Sequence, residues 1–495
     1  MQEQTVPFRL GNSYAEELPD FYVECDPMAV ETPDLLQFNS PLASELGVGV
    51  AGLPSQDLAQ IFSGQKLLDG SRPLAQAYAG HQFGGFSPQL GDGRSLLLGE
   101  VTDPNGRRRD IALKGSGPTA FSRGGDGKAA IGSVLREYLI SEAMHCLGIP
   151  TTRALAAVAT GESVYRERPL PGAILTRVAS SHIRVGTFEF FAARQQRDQV
   201  RQLADYAIER HDPHLGSDND RFLLLLQAVS DRQAALVANW MLVGFIHGVM
   251  NTDNMAISGE TIDYGPCAYM ESFSPRAVFS SIDNLGRYAY ENQPQIAQWN
   301  LTRFAETLLP LIDEDDPGRA VPKVEAIING FIPHYETLWL SGVQTKLGLE
   351  NPTADIDNDK LLVEDWLNLL EVHSVDYTLA WRRLADAADG NSKALEALFP
   401  SRMSLADWLE RWAQRIAQQS SIATAARMRS VNPIYIPRNH LVEEALAAAE
   451  DADLEPFERL LAVLNHPFDE RPELASYAQP ASLKFTDRYK TFCGT

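Results

Sequence analysis

The sequence predicts an α+β fold of two unequal parts, a small strand-rich lobe followed by a larger helical lobe. Three observations carry this. Glycines crowd the stretch from about 76 to 190, with short apolar runs between them. From about residue 195 the apolar residues recur at helical spacing. The composition, 44% hydrophobic and 22% charged over 495 residues, is that of a globular chain able to bury a sizeable core. At about 150 residues each, the length suggests two to four domains. The texture divides it at 1–75, an N-terminal extension; 76–190, the strand-rich lobe; 191–400, the helical lobe; and 401–495, a helical C-terminal extension with a cysteine-bearing tail.

The elements follow in order. Ser55–Phe62 is a short helical piece. Arg94–Val101 alternates loosely, and Ile111–Lys114 is a short apolar run ending in a lysine. Ile131–Leu147 repeats its apolar positions as a helix does and is stopped by Gly148 and Pro150. Ala154–Ala159, Ser163–Tyr165 and Ala173–Val178 read as strands. Leu203–Arg210, Phe222–Met250, Asn300–Leu311, Val324–Leu347, Lys360–Val372, Tyr377–Ala388, Lys393–Leu398, Leu405–Gln418 and Leu441–Ala449 read as helices. The acidic run Asp313–Asp316 reads as a solvated loop between two of them.

A net charge of −22 argues against a general nucleic-acid or anionic-membrane binder, both of which need basic faces. It leaves room for a local basic pocket. The cysteines Cys25, Cys146, Cys267 and Cys493 show no CxxC spacing, so a reducing cytoplasm is the expected compartment. Residues 1–6 show neither a signal peptide nor a transit peptide. No run reaches about 18 uninterrupted apolar residues, so no membrane span is expected.

Two glycine-rich segments stand out in the strand-rich lobe. Gln89-Leu90-Gly91-Asp92-Gly93-Arg94 opens a strand. Lys114-Gly115-Ser116-Gly117-Pro118-Thr119 continues to Ser122-Arg123-Gly124-Gly125-Asp126-Gly127-Lys128. Glycines let backbone N–H groups wrap phosphate oxygens closely, although such segments also serve as simple turns. Neither is a P-loop or a dinucleotide fingerprint. Lys114 ends a strand and Glu137 sits on the next helix among polar neighbours. A strand lysine paired to a helix glutamate is how kinase-like folds fix a cation against nucleotide phosphates, while two unrelated surface charges would look the same in sequence. Arg177 and Arg184 lie close together and suit bidentate contact with phosphate, or a structural salt bridge.

The sharpest signal is His247-Gly248-Val249-Met250-Asn251-Thr252-Asp253-Asn254-Met255, followed by Ile262-Asp263-Tyr264-Gly265-Pro266. An apolar helix runs into a polar loop with Asp-Asn; a hairpin-sized gap and an Asp-aromatic-Gly follow. In kinase-like folds the corresponding asparagine and aspartate hold the divalent ions that bridge the nucleotide phosphates, and hard oxygen ligands suit Mg²⁺. One departure matters. Where a protein kinase has its catalytic aspartate, two residues after the histidine, this chain has Val249, which accepts no proton. Either the chain binds nucleotide without catalysis, or Asp253 has become the base.

On these motifs the chain resembles the selenoprotein O family of kinase-like protein adenylyltransferases. The likeness covers most of the chain and is densest in Gln82–Arg94, Leu113–Met144, Ile174–Glu189 and Asn239–Pro266. It implies a protein-kinase-like two-lobed fold that binds ATP in a flipped orientation and transfers AMP to protein hydroxyls. It implies ATP contacts from Gly91, Gly93, Arg94, Lys114, Asp126, Gly127, Arg177 and Arg184, with Glu137 paired to Lys114. It further implies Asp253 as proton acceptor and Asn254 and Asp263 as ligands of Mg²⁺, with Mn²⁺ as a second candidate. The clients are proteins modified on Ser, Thr or Tyr, with self-modification open and pyrophosphate as the other product. The alternatives are a kinase-like phosphotransferase and a non-catalytic nucleotide-binding scaffold of the pseudokinase kind. Cys493, near the C-terminus, matches the cysteine-containing bacterial members of the family. A Cys267–Cys493 disulfide that gates the site stands as an expectation, against Cys267 as a packed residue and Cys493 as a spectator.

Overall fold

The glycine-punctuated stretch folds as strands and the periodic stretch as helices. The structure, a computed structural model, describes residues 8–50, 52–349, 356–417 and 421–492. Its strands are β1 (Tyr22–Glu24), β2 (Asp34–Phe38), β3 (Leu74–Gln76), β4 (Gly80–Gln82), β5 (Gly85–Ser87), β6 (Ser95–Thr102), β7 (Arg108–Lys114), β8 (Ala129–Ala130), β9 (Arg153–Tyr165), β10 (Pro169–Ala179), β11 (Phe245–Ile246) and β12 (Ala268–Tyr269). The main sheet is antiparallel, in the order β1-β3-β6-β7-β10-β9-β2, with β8 paired to β10. Residues 22–24 and 34–38, from the first 75, thus form its two edges.

The register of this sheet places two of the site's cations. Ala112 on β7 lies opposite Arg177 on β10, and Lys114 lies opposite Leu175. Side chains alternate along a strand, so Lys114, Ala112, Arg177 and Leu175 share one face. Ile111, Leu113, Ile174 and Val178 share the other, where they form a core with the short helices α2 (Ser40–Glu45) and α3 (Ser55–Phe62); α1 is Ser13–Glu17.

The Lys114 face is covered by α4 (Ile131–Cys146). This helix is buried nearly all round, Glu137 included, at 4% exposure. Its polar residues suggest a solvated side, but α15 (Asn439–Glu450) and α16 (Glu455–Leu464) pack there instead. Arg136 pairs with Glu443 of α15 and with the hydroxyl of Tyr489 at 3.2 Å.

The helices beyond the sheet are α5 (Val185–Ala192), α6 (Arg197–His211), α7 (Arg221–Val243), α8 (Gln293–Ile312), α9 (Pro317–Lys346), α10 (Ile356–Val372), α11 (Tyr377–Ala388), α12 (Lys393–Glu396), α13 (Met403–Ile416) and α14 (Ser421–Val431), with α17 (Leu483–Thr486) after α16. Residues 314–316, between α8 and α9, are exposed, as expected.

Two sequence expectations are corrected. The apolar run from Phe222 is not one helix to Met250. Gly244 caps α7 at φ 72°, in the left-handed region, and Phe245–Ile246 continue as a buried strand paired with β12. A buried strand and a helix extension are equally apolar, so hydrophobicity alone does not separate them. Likewise Ala154–Ala159 and Ser163–Tyr165 are one strand, β9.

β11 and β12 bracket residues 247–267 and so fix both ends of the loop that holds Asp253, Asn254 and Asp263. The C-terminal tail runs alongside: Thr491 Oγ1 donates to the Pro266 carbonyl at 2.6 Å, and Thr491 N to the Phe279 carbonyl at 2.8 Å. Cys493 lies outside the described residues. Cys267 is buried, and burial pushes its thiol up to about 12. Among the described residues, no helix is long and apolar enough to cross a membrane.

Candidate active site

Three cations converge on Asp263. Lys114 Nζ reaches its Oδ1 at 2.7 Å, Arg177 Nη1 the same oxygen at 2.9 Å, and Arg184 Nη1 its Oδ2 at 2.8 Å. Lys114 also donates to Glu137 Oε2 at 2.5 Å, and Arg177 to Glu137 Oε1 at 3.2 Å. The strand lysine and the helix glutamate are therefore a buried pair. Burial alone would raise the Asp263 carboxyl, but the charges of Lys114, Arg184 and Arg177 outweigh it and hold the group well below the usual range. Asp263 itself sits at φ 64°, a conformation aspartate tolerates better than most residues.

Arg177 and Arg184 are held from behind. Arg177 Nε donates to His182 Nε2 at 3.2 Å, and His182 Nδ1 faces Asp110 Oδ2 at 3.1 Å. Arg184 lies over the Tyr78 ring at 4.7 Å and donates to the Asp253 carbonyl at 2.7 Å. His247 ties the two halves of the acidic loop together, its Nε2–H donating to the Ile262 carbonyl at 3.0 Å.

Asp253 stands at the side of this cluster. It is 7% exposed, and burial pushes its carboxyl up to about 6, against the opposing Arg184 charge and a hydrogen bond from Gln82. Gln82 Nε2 donates to Asp253 Oδ2 at 3.1 Å. Asp253 Oδ1 is buried and has no hydrogen-bond partner among the described residues. Gly80, two residues before Gln82 on β4, leaves the room: a Cβ there would come within 2.8 Å of that oxygen. Asn254 donates its Nδ2 to the Val249 carbonyl at 2.9 Å, which leaves its carboxamide oxygen uncommitted to that bond. Val249 is buried and apolar.

These groups line one cavity of about 420 Å³. The lining includes Gly91, Gly93, Arg94, Lys114, Asp126, Gly127, Glu137, Arg184, Asp253, Asn254 and Asp263; Arg177 joins through Glu137 and Asp263. Every site residue expected from the sequence is thus brought to one place. The glycine segments are tightly packed. A Cβ on Gly91 (φ 76°) would lie 2.3 Å from Phe121, and one on Gly127 (φ 65°) 2.0 Å from the Gly117 carbonyl oxygen. Asp126 is held by Arg166 at 2.8 and 3.1 Å. Among the described residues, no group of three or more His, Cys, Asp or Glu side chains is arranged to hold a metal ion.

A conserved-domain comparison matches residues 7–465 to the family described as protein adenylyltransferase SelO. The chain belongs to this family. Its activity is accordingly protein adenylyl transfer, which implies ATP as donor and proteins as acceptors. Relatives named "Protein nucleotidyltransferase YdiU" include one from Chromobacterium violaceum, 58% identical over 481 residues, covering 97% of this chain and all of the relative. One from Cereibacter sphaeroides is 59% identical over 489 residues, covering 99% and 100%, and one from Rhizobium rhizogenes is 56% identical over 495 residues, covering 99% and 97%. SelO membership names a transferase and lends nothing to the scaffold alternative.

Sequence reasoning did not single out Gln82, Asn251, Asp92 or Tyr78, all of which line the same cavity. Asp92 sits between two glycines, as turn residues also do, and the other three carry no motif of their own. Only the fold brings Gln82 to Asp253, across 171 positions of sequence.

Proposed function

We propose that this cavity binds ATP between a nucleotide-binding lobe (76–190), whose sheet is edged by strands from 1–75, and a helical lobe (191–400) of kinase-like design, with 401–495 as the C-terminal extension. The reaction is AMP transfer to a Ser, Thr or Tyr hydroxyl of a client protein. The observation that carries it is Asp253, a buried carboxylate with one unpartnered oxygen beside a three-cation cluster. Gly91, Gly93 and Gly127 let backbone approach the phosphates, while Arg94, Asp126, Lys114, Arg177 and Arg184 line or orient the phosphate site. Glu137 and Asp263 hold the cations in place before ATP arrives, so little reorganisation is needed in the transition state.

The donor set fits a hard divalent cation, Mg²⁺ or Mn²⁺. Asp263 is kept ionised, and Asn254 is oriented by its bond to Val249. Asn254 and Asp263 would hold the ion, which supplies neutralisation of phosphate charge when bound. Asp253 takes the hydroxyl proton at Oδ1. The hydroxyl oxygen then bonds to the α-phosphorus, the bond from that phosphorus to the bridging oxygen breaks, and pyrophosphate leaves. Lys114, Arg177 and Arg184 stabilise the charge that develops. We place this chemistry in the bacterial cytoplasm, in keeping with the bacterial relatives and with cysteines in no CxxC arrangement.

ATP labelled at the α-phosphate is expected to mark protein, and ATP labelled at γ is not. Protein-bound γ label without α label would replace this reading with γ-phosphoryl transfer.

A further inference from the structure

We propose that the tip of the β4–β5 hairpin and the turn at 282–285 form the docking surface for the client polypeptide. The surface takes an extended segment with an apolar side chain next to the acceptor hydroxyl. This rests on adenylyl transfer to proteins with Asp253 as proton acceptor.

Among the described residues, the hairpin stands apart from the main sheet, its two strands paired only with each other. Gln82 pairs with Gly85, so the connecting loop is Phe83-Gly84, with φ of 51° and 85°. A two-residue turn with both φ positive favours Asn and Gly, and a bulky residue there is a genuine outlier. This chain holds a phenyl ring in that position, 38% exposed and lining the cavity. An outlier of this kind points to a use for the ring. The preceding residue, Gln82, is the one that holds Asp253.

The surface is built rather than loose. Phe83 N donates to Asn251 Oδ1 at 3.2 Å and to Tyr288 Oη at 3.1 Å, and its ring lies 5.1 Å from that of Tyr288. Asp283 accepts from the N–H groups of Arg287 and Tyr288 at 2.9 and 2.8 Å, which fixes the facing turn. Arg287 lies against Gly84 and over the Trp299 ring. On this frame Phe86, Ile282 and Leu285 are exposed by 43%, 50% and 96%.

The chemistry distinguishes this rim from the nucleotide's part of the cavity. The phosphate-facing lining carries Lys114, Arg94 and Arg184, whereas the hairpin and the facing turn contribute Gln82, Phe83 and Ile282, all uncharged. A hydroxyl delivered to Asp253 on a polypeptide brings its neighbours across Phe83 and Ile282, which line the cavity with it. Apolar neighbours bury surface there and charged ones do not.

The test uses the full chain and short synthetic peptides, each with one Ser, Thr or Tyr acceptor flanked by Leu or Phe, or by Asp or Gly. AMP transfer is followed with α-labelled ATP. Leu or Phe flanks should raise kcat/KM by about 10-fold over Asp or Gly flanks. Phe83→Asn removes the ring while keeping a residue that suits the turn, so folding is preserved. It should erase most of that preference, through KM for peptide measured at saturating ATP. Leu285→Ser, at an exposed position, should lower the preference by about 3-fold. Equal transfer to both peptide sets, or preferences unaltered in both variants, overturns the proposal while leaving adenylyl transfer in place. A wild type that marks no peptide with α label overturns the transferase reading and this proposal together. Sedimentation showing that the variants shift oligomeric state without changing peptide kinetics would reassign the surface to a second copy of this chain.

Discussion

At the scale of single residues, the site is a balance of buried charge. Asp263 answers three cations, and Glu137 answers two of the same three. Removing one partner of such a cluster leaves like charges facing each other in a poorly solvated place. Asp263→Ala is therefore expected to abolish AMP transfer and to lower stability by about 3 kcal/mol, read by α-label incorporation and denaturant unfolding. Full stability with lost activity would mean that ATP-free Asp263 does not hold the cations together. Asp253 behaves differently because its Oδ1 has no partner to lose. Asp253→Asn should reduce kcat by about 100-fold or more and leave ATP affinity within about 3-fold, since a base acts chiefly in the transition state. Equal losses in kcat and in ATP binding would give Asp253 a ligand's role instead. Both aspartates were legible in the sequence, because each sits in a motif whose spacing limits the chemistry. Gln82 was not, because a lone glutamine has no role until a carboxylate is placed next to it.

At the scale of elements, strand register and glycines set the geometry. The β7–β10 pairing puts Lys114 and Arg177 on one face; a shift of one residue would send one of them to the α2–α3 side. Gly80 on β4 is extended and free of backbone constraint, so Gly80→Ala tests crowding alone. Its Cβ would press on Asp253 Oδ1. The expected result is a fall in kcat of about 10-fold with melting temperature nearly unchanged; unchanged turnover would show that the hairpin yields. Gly244 tests the other kind of glycine. At φ 72° it lets α7 end where β11 begins, and Gly244→Ala should cost about 1 kcal/mol of stability. The lysine strand, the glutamate helix and the long apolar helix were readable from periodicity. The end of α7 was not, because Phe245–Ile246 are as apolar as the helix they follow.

Across the whole molecule, the C-terminal helices belong to the active site's support. α15 and α16 pack on α4, where Arg136, next to Glu137 in sequence, pairs with Glu443 about 300 positions later. The far end of the helical region holds Lys346, 4% exposed, with its Nζ 5.0 Å from the Trp381 ring and 5.9 Å from that of Tyr377. Burial pushes this lysine down from 10.5 to about 7. The unfolded chain therefore binds an extra proton between pH 7 and 10.5, so this residue's cost to stability is full below pH 7 and fades as pH rises. Lys346→Met should raise the melting temperature, by more at pH 6 than at pH 8.5. A pH-independent difference would mean that the lysine stays charged and is paid for by its rings.

The sequence by itself determined the change from strand-rich to helical texture near residue 195, the glycine segments, and the identity and order of Lys114, Glu137, Arg177, Arg184, Asp253, Asn254 and Asp263. These are local properties, written in side-chain period and in motif spacing. Only the tertiary structure decided that Arg177 and Arg184 share a carboxylate with Lys114, that the polar side of α4 is buried, and that the Gln82 end of a hairpin meets Asp253. Such facts depend on which surfaces pack together, and burial energy between distant segments leaves no periodic trace along the chain.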